Sequence, residues 1–392
     1  MVSVLLLVGI LVAVFVGFNI GGATTGPAFG PAVGADAISK TVAGLLMAVF
    51  FFVGAWTIGR QVVNTLGNEL VTDPGVFTLE ASVGVLFFIG IALFVGNFFG
   101  VPASTSMTAV GSIAGLGLAA GELDWAVMGE IAIWWIVSPF IGFWVSLIIG
   151  RYFYAALNRR IVIERSQGPL FTIDRSRGVP LPVPSETTNR RELGGVAMVI
   201  AIGCVMAYSS GTSNIANAIA PLVGSGELEM NPAIIIGCVA VGIGTLTIAR
   251  RTLETMGSEL TELPLTAAIV TATVSSTLVI FLSAIGIPAS FVIIATMCII
   301  GLGWGRATRP VTVTDAVRGE GETPVSVGAL TADREGDELP PIGEEEPERI
   351  PSAADLFDPG TTARVVLMQN VVPAIATIGA YATFRFVPLF GI

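Results

Sequence analysis

Long apolar stretches recur along this 392-residue chain, and they constrain its fold more than any other feature. A helix needs about 20 predominantly apolar residues to cross a bilayer, and about 17 is the lower limit. With 53% hydrophobic and only 12% charged residues, the chain is predicted to be an all-α integral membrane protein with about ten transmembrane helices. The candidate stretches are approximately 2–20, 41–59, 79–99, 103–120, 126–150, 193–210, 231–249, 264–285, 288–305 and 364–384.

The chain repeats itself. "TIGRQVVNTLGNEL" (57–70) matches "TIARRTLETMGSEL" (247–260), and "FGVPAS" (99–104) matches "IGIPAS" (285–290) at nearly the same sequence offset. Each homologous half offers five candidate spans, and an odd number makes the two halves insert in opposite directions. The sequence therefore predicts two inverted repeats that contain broken or re-entrant segments, an arrangement found in many secondary transporters.

Two polar segments divide the chain. The first, 151–192, contains eight arginines and four acidic residues, so the positive-inside rule makes it a cytoplasmic linker. The second, 306–361, is rich in acidic residues, proline and glycine and is predicted to be a disordered cytoplasmic loop. The first repeat is then 1–150, the second is mainly 193–305, and its last helix lies in 362–392. We expect a multi-pass protein of the plasma membrane, in contact with lipid.

Composition narrows the function. The chain has no histidine, which removes the usual proton shuttle and catalytic base. Its three cysteines, Cys204, Cys238 and Cys298, lie in apolar stretches at spacings that fit no metal motif. We expect no enzyme, no cofactor beyond a sodium ion, and no nucleic-acid partner. The net charge of −10 and the single lysine, Lys40, indicate a protein from a high-salt environment.

Four segments combine helix breakers with small polar side chains. "NIGGATTGPAFGPAVG" (19–34) pairs with "GTSNIANAIAPLVGSG" (211–226), and "FGVPASTSMTAVG" (99–111) pairs with "IGIPASFVIIATM" (285–297). Free N–H groups at helix starts suit an anion, and hydroxyls and carboxamides add donors without placing a charge in the membrane. Close helix packing by small residues is the alternative explanation. The predicted oxyanion ligands are Thr24, Thr25, Ser104, Thr105, Ser213, Asn214, Asn217 and Ser290.

These segments resemble the signatures of the PiT-type inorganic phosphate transporters, also called phosphate permeases. The family's GANDVANAFGTAVGS and GGNDVANAIGPL signatures correspond to 21–35 and 211–225. Its GxPxSTTH element corresponds to "GVPASTSM" (100–107), and its W-x-x-SP element to "WWIVSPF" (134–140). The resemblance implies a secondary transporter that imports phosphate together with sodium or protons.

The departures from the family pattern bear on the substrate. Both signature aspartates are replaced by neutral residues, Thr24 and Asn214. Phosphate carries an O–H that a carboxylate accepts, whereas sulfate carries none, so a permease for sulfate or another oxyanion, or a non-transporting anion sensor, remains an alternative. Thr24, Asn214 and the intramembrane Glu130 are the candidate ligands of the coupling ion. The oligomeric state stays open, a homodimer included.

Overall fold

The computed structural model describes residues 4–34, 38–98, 104–161, 171–174, 181–184, 190–249, 265–307 and 359–387, and these residues are almost entirely helical. The helices are α1 (Val4–Gly34), α2 (Lys40–Thr57), α3 (Gly59–Asn64), α4 (Leu79–Phe98), α5 (Thr105–Ala120), α6 (Trp125–Ile148), α7 (Tyr154–Ile161), α8 (Arg190–Gly224), α9 (Met230–Leu246), α10 (Leu265–Ala284), α11 (Phe291–Ala307) and α12 (Pro359–Phe386). π-Helical turns (Thr65–Glu69 and Ile149–Phe153) follow α3 and α6, and a 3₁₀ turn (Pro74–Val76) precedes α4. Two antiparallel strands, β1 (Phe171–Asp174) and β2 (Leu181–Pro184), lie between α7 and α8.

Six segments of the described chain are long and apolar enough to cross a bilayer: α1, α2, α4, α6 with its continuation into α7, α8 and α10. Helices α5, α9 and α11 are apolar but contain only 16 or 17 residues. The predicted all-α membrane class is therefore confirmed. Two of the predicted spans, 103–120 and 288–305, correspond to the short helices α5 and α11, each of which pairs with the longer helix before it. Most of the predicted loop 306–361 lies outside the described residues.

Helices α4 and α5 form a first helical hairpin, in which the chain enters α4 and leaves α5 at the same end. The segment before α4 and the segment after α5 pair through their backbones, with Thr72 N donating to Glu122 O at 2.8 Å and Asp124 N donating to Leu70 O at 3.0 Å. The Thr72 hydroxyl also donates to the Glu122 carboxylate. The start of α4 therefore lies beside the end of α5.

Helices α10 and α11 form a second hairpin, and both the start of α10 and the end of α11 contact α7. At the start of α10, the Thr266 hydroxyl donates to Asn158 Oδ1 at 2.7 Å. At the end of α11, the Arg306 guanidinium stacks on the Tyr154 ring at 4.0 Å from its centroid. The chain leaves helical geometry between the two helices, at 285–290, where Gly286 has a φ of 79°. Residues 99–103, the corresponding part of the first hairpin, lie outside the described residues.

Glycines let the backbones of α2 and α8 touch, and those of α1 and α9. A Cβ atom on Gly211 would lie 2.1 Å from Phe51 O, and one on Gly21 would lie 2.2 Å from Val241 O. No side chain fits at such distances, so only glycine permits this approach. The sequence offset that relates 57–70 to 247–260 also relates Gly21 to Gly211 and Phe51 to Val241. The two contacts are therefore equivalent in the two repeats of the sequence.

A second pair of glycines repeats the pattern. A Cβ on Gly54 would lie 2.1 Å from Tyr208 O, and one on Gly244 would lie 2.2 Å from Phe18 O. The same sequence offset again relates the two contacts. The four helices around the centre of the molecule are thus joined by two matched sets of contacts.

The predicted breaks at 19–34 and 211–226 are wrong. Residues 19–34 and 211–224 belong to continuous helices, α1 and α8, although Pro27 and Pro221 lie inside them. Only 225–226 lie beyond the end of α8. Prolines are tolerated in membrane helices where neighbours satisfy the carbonyls that they leave free. Gly21 and Gly22 in the first segment and Gly211 and Gly224 in the second have close neighbours outside their own helices, so these glycines serve close packing, the alternative explanation given above. Irregular backbone occurs instead at 285–290.

Candidate functional site

A small pocket lies where the middle of α1, the middle of α8 and the starts of α5 and α11 meet. Five of the eight predicted ligands line it, which are Thr24, Ser104, Thr105, Asn214 and Ser290. The other lining residues are Ala23, Pro27, Ala28, Met206, Ser210, Phe291 and Val292. No ionisable side chain is among these described residues, so the polar part of the pocket consists of hydroxyls and one carboxamide.

Asn214 is the centre of the hydrogen-bond network in the pocket. Its Oδ1 atom accepts a hydrogen bond from the Thr105 hydroxyl and another from Asn217 Nδ2 at 3.2 Å. Its Nδ2 atom donates to Ser210 Oγ at 3.1 Å. These bonds fix the orientation of the carboxamide and leave its second N–H hydrogen for a ligand.

Two helix starts face this carboxamide. Ser104 caps α5, since its Oγ atom accepts from Met107 N at 3.3 Å. Helix α11 begins at Phe291, directly after Ser290. Helix starts carry a partial positive charge, so two of them beside a pocket whose described lining has no carboxylate favour an anion.

Ser213 does not line the pocket. Its Oγ atom donates to Ala289 O at 2.9 Å and accepts from Ala289 N at 3.2 Å. The Ser106 hydroxyl lies 3.3 Å from it and donates to the same Ala289 carbonyl at 3.0 Å. Ser213 therefore joins α8 to the irregular segment of the second hairpin, and its bonding capacity is used there.

Thr25 and Asn217 are also outside the pocket lining. Thr25 is fully buried, and its hydroxyl donates to Gly21 O in its own helix at 2.7 Å. Asn217 is fully buried beside Asn214, and its Oδ1 atom has no hydrogen-bond partner among the described residues. An unpaired buried carbonyl oxygen is costly, which makes Asn217 Oδ1 an acceptor near Asn214 that a ligand or cation would satisfy.

Three residues that the sequence analysis did not assign to the site support it. Ser210 lines the pocket, and Gln369 on α12 accepts from the Ser290 hydroxyl at 3.5 Å. The Trp135 indole on α6 donates to Pro288 O at 2.8 Å and so holds the irregular segment of the second hairpin. The pairing of the four polar segments located the site, but their sequences contain neither Gln369 nor Trp135.

Glu130 lies apart from this group. It is exposed in the second turn of α6 and does not line the pocket. Within the described residues, no group of three histidine, cysteine, aspartate or glutamate side chains could hold a metal ion. Any cation at the pocket would therefore be held by hydroxyl and carbonyl oxygens.

An apolar pocket adjoins the polar one and shares Pro27, Ala28, Met206 and Phe291 with it. It continues between the first half of α8, α10 and α11. Its remaining lining residues are Val199, Ile202, Ala268, Ile269, Thr271, Ala272, Ser275, Ala295 and Ile299. The apolar pocket thus extends the polar one along the second hairpin, toward the start of α10 and the end of α11.

The model of the phosphate transporter family matches residues 20–321, which is most of the chain. The chain belongs to this family. The predicted resemblance is thereby confirmed, and the protein is a multi-pass membrane transporter rather than an enzyme. The matched range includes all of the residues that line the polar pocket.

Among curated relatives, the Sulfate permease CysP of Bacillus subtilis is 29% identical over 274 residues, which cover 70% of each chain. The "Putative phosphate permease TK2061" of Thermococcus kodakarensis is 27% identical over 348 residues, covering 73% of this chain and 84% of the relative. A solved structure described as the sodium-dependent phosphate transporter has the same fold, with a TM-score of 0.65 and 18% identity. That likeness covers 98% of this chain and 100% of the other.

Proposed function

We propose that the protein is a secondary transporter that imports inorganic phosphate, driven by a sodium or proton gradient. The observation that carries this proposal is the polar pocket, in which two helix starts face Asn214 and none of the described lining residues is charged. A tetrahedral anion is attracted by the helix starts and bonded by hydroxyls and the carboxamide. Membership of the phosphate transporter family and the phosphate permease relatives support phosphate as the substrate.

The proposed mechanism is alternating access between two inverted repeats. The matched glycine contacts, which share one sequence offset, support a pseudo-twofold relation of α1 with α8 and of α2 with α9. With 151–192 in the cytoplasm, the start of α4 and the end of α5 lie on the external side of the membrane. The start of α10 and the end of α11 then lie on the cytoplasmic side. The adjoining apolar pocket then leads from the substrate to the cytoplasm along the second hairpin.

The coupling ion is proposed to bind through neutral oxygens. Hard cations such as sodium prefer oxygen ligands, and Thr24 and Asn214 both line the pocket. Asn214 Oδ1 already accepts two hydrogen bonds, whereas Asn217 Oδ1 accepts none from the described residues. We therefore add Asn217 to Thr24 and Asn214 as a candidate cation ligand. Glu130 is exposed outside the pocket and is not included in this set.

Sulfate is the second candidate substrate, and two observations favour it. The described pocket lining lacks the carboxylate that would accept the O–H of phosphate, and a sulfate permease is among the relatives. A buried polar group left without its partner costs about 1–3 kcal/mol, so the two ions are distinguishable by their bonding needs.

The test is uptake of labelled phosphate by the purified protein in proteoliposomes, with a sodium gradient, a proton gradient or neither, and with excess sulfate as competitor. Phosphate uptake that needs one of the gradients and resists sulfate supports the main proposal. Uptake that is blocked by sulfate, together with gradient-driven uptake of labelled sulfate, supports the second candidate. Equilibration without accumulation under either gradient would exclude secondary active transport.

A further inference from the structure

We infer that Thr24 selects for a protonated oxyanion by accepting its O–H group. The inference rests on the proposed function, in that it assumes that an oxyanion occupies the polar pocket. Thr24 lines that pocket from α1 and is partly exposed to it. It stands at a position where the family signature has an aspartate, so its bonding decides whether an acceptor remains there.

The hydrogen of the Thr24 hydroxyl is already in use. Thr24 Oγ1 donates to Ile20 O, one turn earlier in α1, at 2.8 Å. A hydroxyl has a single hydrogen and two lone pairs. The oxygen therefore offers the pocket an acceptor, and it becomes a donor only if the bond to Ile20 is broken.

The Thr105 hydroxyl, which lines the pocket from α5, also uses its hydrogen in a bond within the protein. Its hydroxyl donates to Asn214 Oδ1, so its oxygen also presents lone pairs. Ser210 has the reverse polarity, because its oxygen accepts from Asn214 Nδ2 at 3.1 Å and its hydrogen has no acceptor among the described residues. The pocket thus combines acceptors at two threonines with donors at Ser210 and Asn214. Although both signature aspartates are replaced, the pocket therefore does not consist of donors alone.

This pattern matches an anion that carries both kinds of oxygen. Phosphate near neutral pH has at least one O–H, which can donate to Thr24, and unprotonated oxygens that accept from Ser210 and Asn214. Arsenate has the same protonation pattern, whereas sulfate and selenate have no O–H. An unprotonated oxyanion would face the lone pairs of Thr24 or would force its hydroxyl away from Ile20. The acceptor therefore favours phosphate and arsenate over sulfate and selenate.

Thr25 provides a matched control next to Thr24. Its hydroxyl makes the same type of bond to the carbonyl four residues earlier, Gly21 O, but it is fully buried outside the pocket. Threonine-to-valine substitution at either position removes one hydroxyl and keeps the shape of the side chain. Only the change at Thr24 removes an acceptor from the pocket.

The experiment is competition against labelled phosphate uptake in proteoliposomes that contain the full chain, with arsenate, sulfate and selenate as unlabelled competitors. The measured quantity is the ratio of the half-inhibiting concentrations of sulfate and arsenate. For Thr24→Val we expect this ratio to fall about fivefold or more, the typical effect of one hydrogen bond. Thr24→Ser should keep the wild-type ratio, and so should Thr25→Val.

Thr24→Ala removes the same oxygen with a smaller side chain and serves if the valine variant is not produced. Ratios for Thr24→Val and Thr24→Ala that equal the ratio for Thr25→Val would overturn the inference, as would a wild-type protein that prefers sulfate. These results differ from failure of the proposed function, in which the wild type would accumulate neither labelled phosphate nor labelled sulfate.

Discussion

The Thr105 hydroxyl donates a hydrogen bond to Asn214 Oδ1 and so joins the first turn of α5 to the middle of α8. The two residues are 109 positions apart and come from different repeats of the predicted architecture. Asn214 also orients Ser210, so this bond organises one wall of the pocket. The first hairpin and α8 are thereby connected at the point where the substrate is proposed to bind.

We expect Thr105→Val to reduce phosphate uptake by about tenfold or more. The variant removes a donor to a largely buried carboxamide oxygen, a loss that typically costs about 1–3 kcal/mol. Thr105→Ser restores the hydroxyl and should recover most of the uptake, which separates the hydrogen bond from the packing of the side chain. The measurement is the initial rate of uptake at equal amounts of reconstituted protein. Wild-type rates in the valine variant would contradict the role given to this bond.

Asn217→Ala should abolish uptake without reducing expression. The substitution removes both the Nδ2 donor to Asn214 and the buried Oδ1 atom that no described side chain satisfies. The uptake assay is combined with quantification of the purified protein by gel filtration. Asn68→Ala, at an exposed asparagine, is the control and should transport normally. Normal transport by Asn217→Ala would show that the site has been misplaced.

Gly54→Ala should destabilise the protein by about 3 kcal/mol, because its Cβ would overlap the carbonyl oxygen of Tyr208. Gly244→Ala should have a similar effect through Phe18 O. Gly129→Ala is the control, since its Cβ would meet no described atom within 4 Å and alanine favours a helix over glycine. Thermal unfolding in detergent measures the three variants. Equal melting temperatures for Gly54→Ala and Gly129→Ala would exclude the backbone contact.

Trp135→Phe should weaken the hold of α6 on the second hairpin. The variant loses the indole hydrogen bond to Pro288 O, worth about 1 kcal/mol, while most of the apolar contact remains. We expect a lower melting temperature and a weaker apparent affinity for phosphate. Trp134→Phe is the neighbouring control. Trp134 makes an edge contact with the Phe281 ring at a centroid distance of 6.2 Å, and a phenylalanine ring can make the same kind of contact. Indistinguishable behaviour of the two variants would argue against a role for the bond.

The membrane class and the location of the site could be predicted from local patterns. Apolar length indicates a span wherever it occurs, and the two pairs of matching segments bring Thr24, Thr105 and Asn214 to one pocket. Local patterns could not separate Ser210 from Ser213, which lie close together on α8. One faces the pocket and the other bonds Ala289, and only the position of the second hairpin decides between them.

The breaks in the helices were harder to predict than the site. Glycine and proline mark both an irregular segment and a close helix contact, and the residues themselves do not distinguish the two. At Gly211 the neighbour is the backbone of α2, so the glycine serves packing. At Gly286 the backbone itself has left helical geometry, with a φ of 79°. The partner across the interface, which lies far away in sequence, determines which applies.

The glycine contacts also mean that the two halves of the chain share one buried core. Helix α1 packs on α9 and α2 packs on α8, so each half supplies the wall against which the other folds. A polypeptide that ended before α8 would leave the faces at Gly21 and Gly54 uncovered until the rest of the chain was synthesised. A cut between β2 and α8 should therefore yield two fragments that are functional only when produced together in one cell. We therefore expect the two sequence repeats to fold together as one unit rather than as two independent domains.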